Sequence, residues 1–269
     1  MNFIIELLIK TCALTIYLTG MIILAGFFLG ILRTESIKNF QRSFGIKSVM
    51  VTGLIGVPIH ELSHAFAALV FGHKITDIKL FQKPDESGIL GYVKHSYNPR
   101  NLYQQAGNFF IGVAPIFGGT FVIIALMRLI IPISYNEFIN TVIKNLSITS
   151  LNRGVIDGIL ISYGGLIKSI FALRNFANPA FYLYLFLGIC ISSHISLSYA
   201  DIKGATKGVS VIFLILLVLN AFSLSKYIVA SNIIKYNILI IGFLIVAILL
   251  SLLTFFISLI LMLIKNGNR

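Results

Sequence analysis

Charge is what this chain has least of: 11% of its 269 residues are Asp, Glu, Lys or Arg, against roughly 25% in an ordinary soluble domain. With 57% hydrophobic residues and a mean hydropathy of +0.95, that shortage excludes a soluble domain and reads as an integral membrane protein. Acidic residues are scarcer still, nine against 21 Lys and Arg. The net charge of +12 would suggest nucleic acid in a soluble chain. Here the basic residues cluster between apolar runs, where they anchor helices against anionic headgroups of the lipid bilayer, so no nucleic-acid partner is expected. There are only two cysteines, Cys12 and Cys190, both in apolar segments. That excludes a disulfide framework and a thiolate zinc site, and both read as small core residues. Internal repeats, low-complexity tracts and a separate soluble domain are also missing.

What is present is a series of apolar runs, at about 11–32, 48–72, 107–132, 179–199, 208–224 and 236–264, each of spanning or near-spanning length. The first follows Glu6 and carries no clear small-residue cleavage site, so it is expected to be a retained helix rather than a secretion signal. A semi-apolar stretch, 151–176, is dotted with Gly154, Gly158, Gly164 and Gly165 and reads as interfacial, re-entrant or a seventh span. The polar stretch 73–105 holds two strand-like runs, 74–81 and 89–97, around the turn-forming Pro84-Asp85-Glu86-Ser87-Gly88; it reads as a hairpin or an irregular connector. The expected fold is therefore an all-α polytopic membrane protein of about six transmembrane helices, with a small membrane-associated β-hairpin. Its parts would be an N-terminal helix and basic loop (1–47), a core (48–205) and two C-terminal helices (206–269). Lys and Arg divide almost evenly between the two sets of loops, so positive-inside counting assigns no orientation.

Inside the second run lies His60-Glu61-Leu62-Ser63-His64, an H-E-x-x-H sequence. Imidazoles at i and i+4 stack on one helix face and can clamp one Zn²⁺, and the carboxylate between them is placed to deprotonate the attacking water. On a helical wheel Gly53, Gly56, His60, His64, Ala67 and Ala68 share one side. Val51, Ile55, Ile59, Leu62, Phe66 and Leu69 line the other, so small residues and histidines are expected inward and bulky ones towards lipid. Pro58 leaves the Leu54 carbonyl without its usual donor, which favours a kink. Ionisable groups within a membrane are costly and functional by default, so coincidence is the weaker reading.

A catalytic zinc takes three protein ligands plus water. Seven of the nine acids, Glu6, Glu35, Asp77, Asp85, Glu86, Glu137 and Asp157, lie in polar or semi-polar stretches, whereas Asp201 is read as closing the helix that contains 179–199. Asp201 is the expected third ligand and His194 its competitor. On one straight helix the two would share a face about 10 Å apart, so both could not bind one ion. If Asp201 ligates, His194 is free to support a ligand or donate to an oxyanion. His73 and His95, beside lysines in the polar stretch, read as solvated surface residues.

At these positions the chain resembles the site-2 protease family of intramembrane zinc metalloproteases, in particular its small bacterial branch without a PDZ domain. His60 to Gly72, HELSHAFAALVFG, resembles the family's zinc helix. Gly107 to Gly119, GNFFIGVAPIFGG, resembles its Gly-Pro-containing helix start after a membrane-associated hairpin. Asp201 followed by Gly204 resembles its Asp-Gly motif, without the Asn-Pro lead-in and with Ile202-Lys203 between Asp and Gly. The resemblance covers about residues 48–205. It implies a zinc endopeptidase of the bacterial plasma membrane with one catalytic ion, His60, His64 and Asp201 as ligands, Glu61 as base, and a membrane-embedded peptide or protein as substrate. The competing expectations are a divalent-metal transporter and a non-catalytic zinc-binding membrane protein.

Overall fold

A computed structural model describes residues 3–84, 88–148, 150, 152–224 and 230–267. The described chain is mostly helical. In order it runs α1 (Phe3–Phe44), α2 (Ile46–Val70), β1 (Lys74–Lys79), β2 (Tyr92–Ser96), α3 (Leu102–Ile130), α4 (Pro132–Leu146), α5 (Arg153–Ile170), α6 (Leu173–Phe176), α7 (Pro179–Ser192), α8 (Tyr199–Ala221) and α9 (Ala230–Gly267).

Six helical stretches are long and apolar enough to cross a membrane: Phe3–Phe44, Ile46–Val70, Leu102–Ile130, Arg153–Phe176, Tyr199–Ala221 and Asn232–Asn266. The number six agrees with the expectation, but the membership differs. Stretch 153–176 qualifies, while α7, inside the run expected at 179–199, is only 14 residues long. At 1.5 Å per residue α7 reaches about 21 Å, short of a hydrocarbon core of about 30 Å. The chain leaves the helix after Ser192, passes through 193–198, and starts α8 at Tyr199. Asp201 therefore does not close a helix; it lies in the first turn of the next one. The sequence already carries the signal for this, because the Ser198 side chain accepts from the Asp201 amide and the Asp201 carboxylate accepts from the Ser198 amide, a capping box that begins a helix.

Glycine allows the central helices to meet. A Cβ on Gly208 of α8 would collide with the Phe109 amide of α3, and one on Gly112 of α3 would lie 2.6 Å from the Asp201 carbonyl oxygen. In a bilayer, where burial of apolar surface does not favour helix association, backbone approach of this kind supplies the packing. The core built around it includes Leu29, Phe109, Ile116, Ile123, Tyr184 and Leu244. α1 and α9 pack along each other and are tied by Asn39 to Ser258 at 3.3 Å, by the Tyr236 hydroxyl to the Leu18 carbonyl at 2.9 Å, and by the Lys265 ammonium to the Ser43 carbonyl. Cys12 is exposed rather than in the core, whereas Cys190 is buried, and both are free thiols.

The polar stretch forms a two-stranded antiparallel sheet, with Lys74 opposite Ser96 and Lys79 opposite Tyr92, and an irregularity between Ile75 and Asp77. The connecting residues 85–87 fall outside the described residues. His73 and His95 are not simply solvated. His73 is 3% exposed, its Nδ1 lies 2.9 Å from His95 Nδ1, its Nε2 donates to the Gln104 carbonyl at 2.8 Å, and its ring stacks on Tyr97. This pair joins the hairpin to the start of α3.

Candidate metal centre

α2 presents the H-E-x-x-H residues to the bundle interior as the helical wheel requires. Gly53, Gly56, His64 and Ala68 are buried, while Val51, Leu62, Phe66 and Leu69 are exposed on the outer face. Three ionisable side chains converge. His60 Nε2 and His64 Nε2 are 3.2 Å apart, His64 Nε2 is 3.1 Å from one Asp201 carboxylate oxygen, and His60 Nε2 is 3.9 Å from the other. The candidate ligand atoms all lie within 4.8 Å of one another, so His60, His64 and Asp201 could hold a metal ion. Their side chains are 15%, 8% and 12% exposed, which places the group within the protein.

The hydrogen bonds behind the imidazoles give this arrangement its chemical sense. His60 Nδ1 is 2.9 Å from the His194 carbonyl oxygen and His64 Nδ1 is 2.8 Å from the Ile111 carbonyl oxygen. A carbonyl can only accept, so both Nδ1 atoms carry the proton. In the neutral tautomers the two Nε2 atoms then turn bare lone pairs towards each other and towards a carboxylate. One added proton relieves one of these acceptor contacts; a cation relieves all three. Tetrahedral zinc with N ligands at about 2.0–2.1 Å would set neighbouring ligand atoms about 3.3 Å apart, close to the spacing found here. Carbonyl groups that fix the far nitrogen of a histidine are the usual support of a metal-binding imidazole.

The fold builds those supports. A Cβ on Gly56 would collide with the Cys190 carbonyl oxygen and stand 2.6 Å from His194 Cδ2, so only glycine lets the end of α7 rest on α2 and bring the His194 carbonyl to His60. Because α7 stops short, that carbonyl has no helical partner of its own to displace. Residues 193–196 are nevertheless buried, as irregular backbone at membrane depth must be. His194 thus meets the centre through its backbone, while its ring is engaged with the Thr52 hydroxyl at 3.2 Å. Asp201 arrives from the N-terminus of α8, where unpaired amides and the helix dipole favour a carboxylate.

Glu61 is 7% exposed, and a Cβ on Gly91, just before β2, would be 3.0 Å from its Cγ. The hairpin therefore lies directly over the glutamate. An apolar groove of about 550 Å³ runs beside the centre, lined by Gly26, Gly30, Val113, Leu197, Ile202 and Ala205 of α1, α3 and the α8 region.

The sequence reading brought together His60, Glu61, His64 and Asp201, and the structure places all four in one locality. It did not single out Thr52, Ser198 or the carbonyls of Ile111 and His194, nor Arg33 of α1. The Arg33 Nε is buried without a hydrogen-bond partner. Comparison with protein families, with curated proteins and with solved structures returns no match.

Proposed function

We propose that the protein is a zinc-dependent endopeptidase that hydrolyses a peptide bond in or near a membrane-embedded segment of its substrate. The observation that carries this reading is the convergence of two carbonyl-backed imidazoles and a carboxylate beside a buried glutamate, on helices long and apolar enough to cross a membrane. A divalent ion held there supplies a Lewis acid for the scissile carbonyl and brings the pKa of water towards ~7.

The chain's own residues do the rest. Glu61, on the same helix as both histidines, takes a proton from the attacking water and returns it to the departing amine nitrogen. The capping box holds Asp201 in place while the charge on its surroundings changes. A peptide bond within a transmembrane helix is shielded by its own hydrogen bonds, so it must be drawn out before attack. The two-stranded sheet over Glu61 has unpaired outer edges among the described residues, and these can hold an extended substrate by strand addition. The neighbouring apolar groove includes Ile202, the residue after Asp201, in its lining and offers a surface compatible with the substrate's apolar residues.

The test is a proteomic comparison of membrane fragments from cells expressing the wild type or Glu61→Gln, with zinc measured on both purified proteins. The reading expects fragments cut within apolar segments only with the wild type, and about one zinc per chain in each protein. Unchanged fragmentation with Glu61→Gln removes the glutamate from the base role. Zinc-dependent ion flux into liposomes without any fragmentation would replace the protease by a transporter.

A further inference from the structure

Lys203 and Lys207 stand one turn apart on the exposed side of α8, shortly after Asp201. Like charges at this spacing repel each other, so the pair is at its best with an anion between them. Yet among the described residues neither lysine has a carboxylate within ion-pair distance. Asp201 is turned to His64 at 3.1 Å, and Glu35, the acid in the lining of the apolar groove, is held by Lys38 at 2.7 Å. The lysines instead line a hollow with Ile202, Thr206 and Ser210. Ile202 and Thr206 line the groove as well, so the apolar and the basic surfaces are continuous. Successive residues turn by about 100° around a helix. Counted from Asp201, the order around α8 is Ala205, Val209, Ile202 and Thr206, all of the groove, and then Lys203 and Lys207 at about 200° and 240°. A chain that leaves the ligand set on its Asp201 side therefore crosses the groove wall before it meets the two ammonium groups.

Resting on the proteolytic reading above, we propose that the groove and these two lysines form one substrate track, and that the preferred substrate is an apolar segment flanked on one side by Asp or Glu. The apolar residues lie in the groove and the carboxylate completes the lysine pair. The inner wall of the groove is the scaffold of the centre itself. Val113 follows Gly112, which meets the Asp201 carbonyl, and Leu197 precedes the Ser198 cap. A lipid headgroup would match the charge alone; the continuity from Asp201 through the groove to the lysines is what selects a peptide. The same geometry sets a spacing. Half-way round a helix about 10–12 Å across with its side chains is about 16–19 Å, or about five to six residues of extended strand at 3.3 Å each. The acid therefore belongs about five residues from the bond that is cut. Its ion pairs are made equally in the bound substrate and in the transition state, so they lower KM and leave kcat to the centre.

The experiment uses the full-length zinc-loaded protein in nonionic detergent and quenched-fluorescent peptides that share one apolar stretch. Each carries Glu-Glu, Gln-Gln or Lys-Lys about five residues from the middle of that stretch, on one side or the other. With the wild type, KM should be about 3–10-fold lower for Glu-Glu than for Gln-Gln on one side only, at matched kcat. The difference should shrink in about 1 M salt, where the screening length is about 3 Å. Lys203→Glu combined with Lys207→Glu should reverse the order in favour of Lys-Lys, with zinc still near one per chain. One KM for all three flanks with the wild type overturns the assignment, as does a charge-reversed variant that keeps the wild-type order or weakens every peptide alike. If that variant folds poorly, Lys203→Gln combined with Lys207→Gln must bring Glu-Glu and Gln-Gln to a common KM, and an undiminished preference overturns the assignment instead. Activation by an anionic phospholipid that needs both lysines while peptide flanks have no effect would give them to the membrane. Binding of singly labelled peptides to zinc-loaded Glu61→Gln, read by fluorescence anisotropy, separates the two failures. A flank preference in binding without any cleavage by the wild type removes the proteolytic reading, whereas cleavage without a flank preference removes only the track.

Discussion

At the scale of single residues, the strength of the centre lies in what stands behind the imidazoles. His194 supports His60 with a backbone carbonyl, so His194→Ala should retain zinc near the wild-type level by elemental analysis, whereas Asp201→Ala should lose it. Zinc lost from His194→Ala and kept by Asp201→Ala would exchange their roles. The pattern H-E-x-x-H made His60, Glu61 and His64 legible because ligand spacing is a property of side-chain identity along one helix. Asp201 was legible as a rare acid beside apolar sequence, but its place on the helix was not, since the apolar run from 179 onwards masks the capping signal at Ser198. The carbonyls of Ile111 and His194 have no sequence signature, as every residue carries one. Arg33 escaped notice because an apolar run is read as ending at its first charge, and α1 continues eleven residues further, to Phe44.

At the scale of elements, the contact of α7 with α2 is a demanding one. Gly56→Leu would drive a side chain into the Cys190 carbonyl and His194. Overpacking of this kind costs about 1–3 kcal/mol or more, and withdrawal of the carbonyl behind His60 should weaken zinc binding by about 10–100-fold. Both are measurable, by thermal unfolding in detergent and by chelator competition; unchanged zinc affinity would mean the carbonyl is dispensable. The hairpin makes a separate prediction. Burial, and then the neighbouring His73, hold the His95 imidazole below its ordinary value. A histidine with a depressed folded pKa contributes stability that is present above its unfolded value of about 6.5 and is lost as pH falls through the folded one. Hydrogen-exchange protection factors of the β1 and β2 amides, corrected for the intrinsic rate at each pH, should therefore fall below about pH 6.5, and His95→Asn should flatten that dependence. The strands were visible in sequence as alternation around a turn, but the His73–His95 contact depends on the register of Ile75 with His95, which side-chain pattern alone does not fix.

At the scale of the whole molecule, the centre joins α2 to α8, elements whose direct neighbour on both sides is α3. An ion bound only by the folded chain stabilises it by about 4 kcal/mol at a free concentration a thousand times its Kd. Stripping zinc with a chelator should lower the unfolding temperature of the wild type, and should leave that of Asp201→Ala unchanged; equal shifts in both would place the ion elsewhere. Hydropathy gave the number of stretches long and apolar enough to cross a membrane because it measures average apolarity over a window. It misassigned 179–199 because the window averages the break Ser193-His194-Ile195-Ser196-Leu197-Ser198 with the strongly apolar helix before it, and it left 151–176 open between interfacial, re-entrant and spanning, which the glycines of α5 do not decide because they leave its apolar length intact.

The wide separation of Asp201 from the two histidines also bears on biosynthesis. Translation delivers α2 to the bilayer many seconds before α8, at roughly 5–20 residues per second. A nascent polypeptide therefore passes through an interval in which it owns both imidazoles and the base but no carboxylate to complete the grip. Arrested or truncated products ending before the Ser198 cap would be metal-poor, and under the proposed function inert, so the activity would be armed only after most of the chain has been safely inserted.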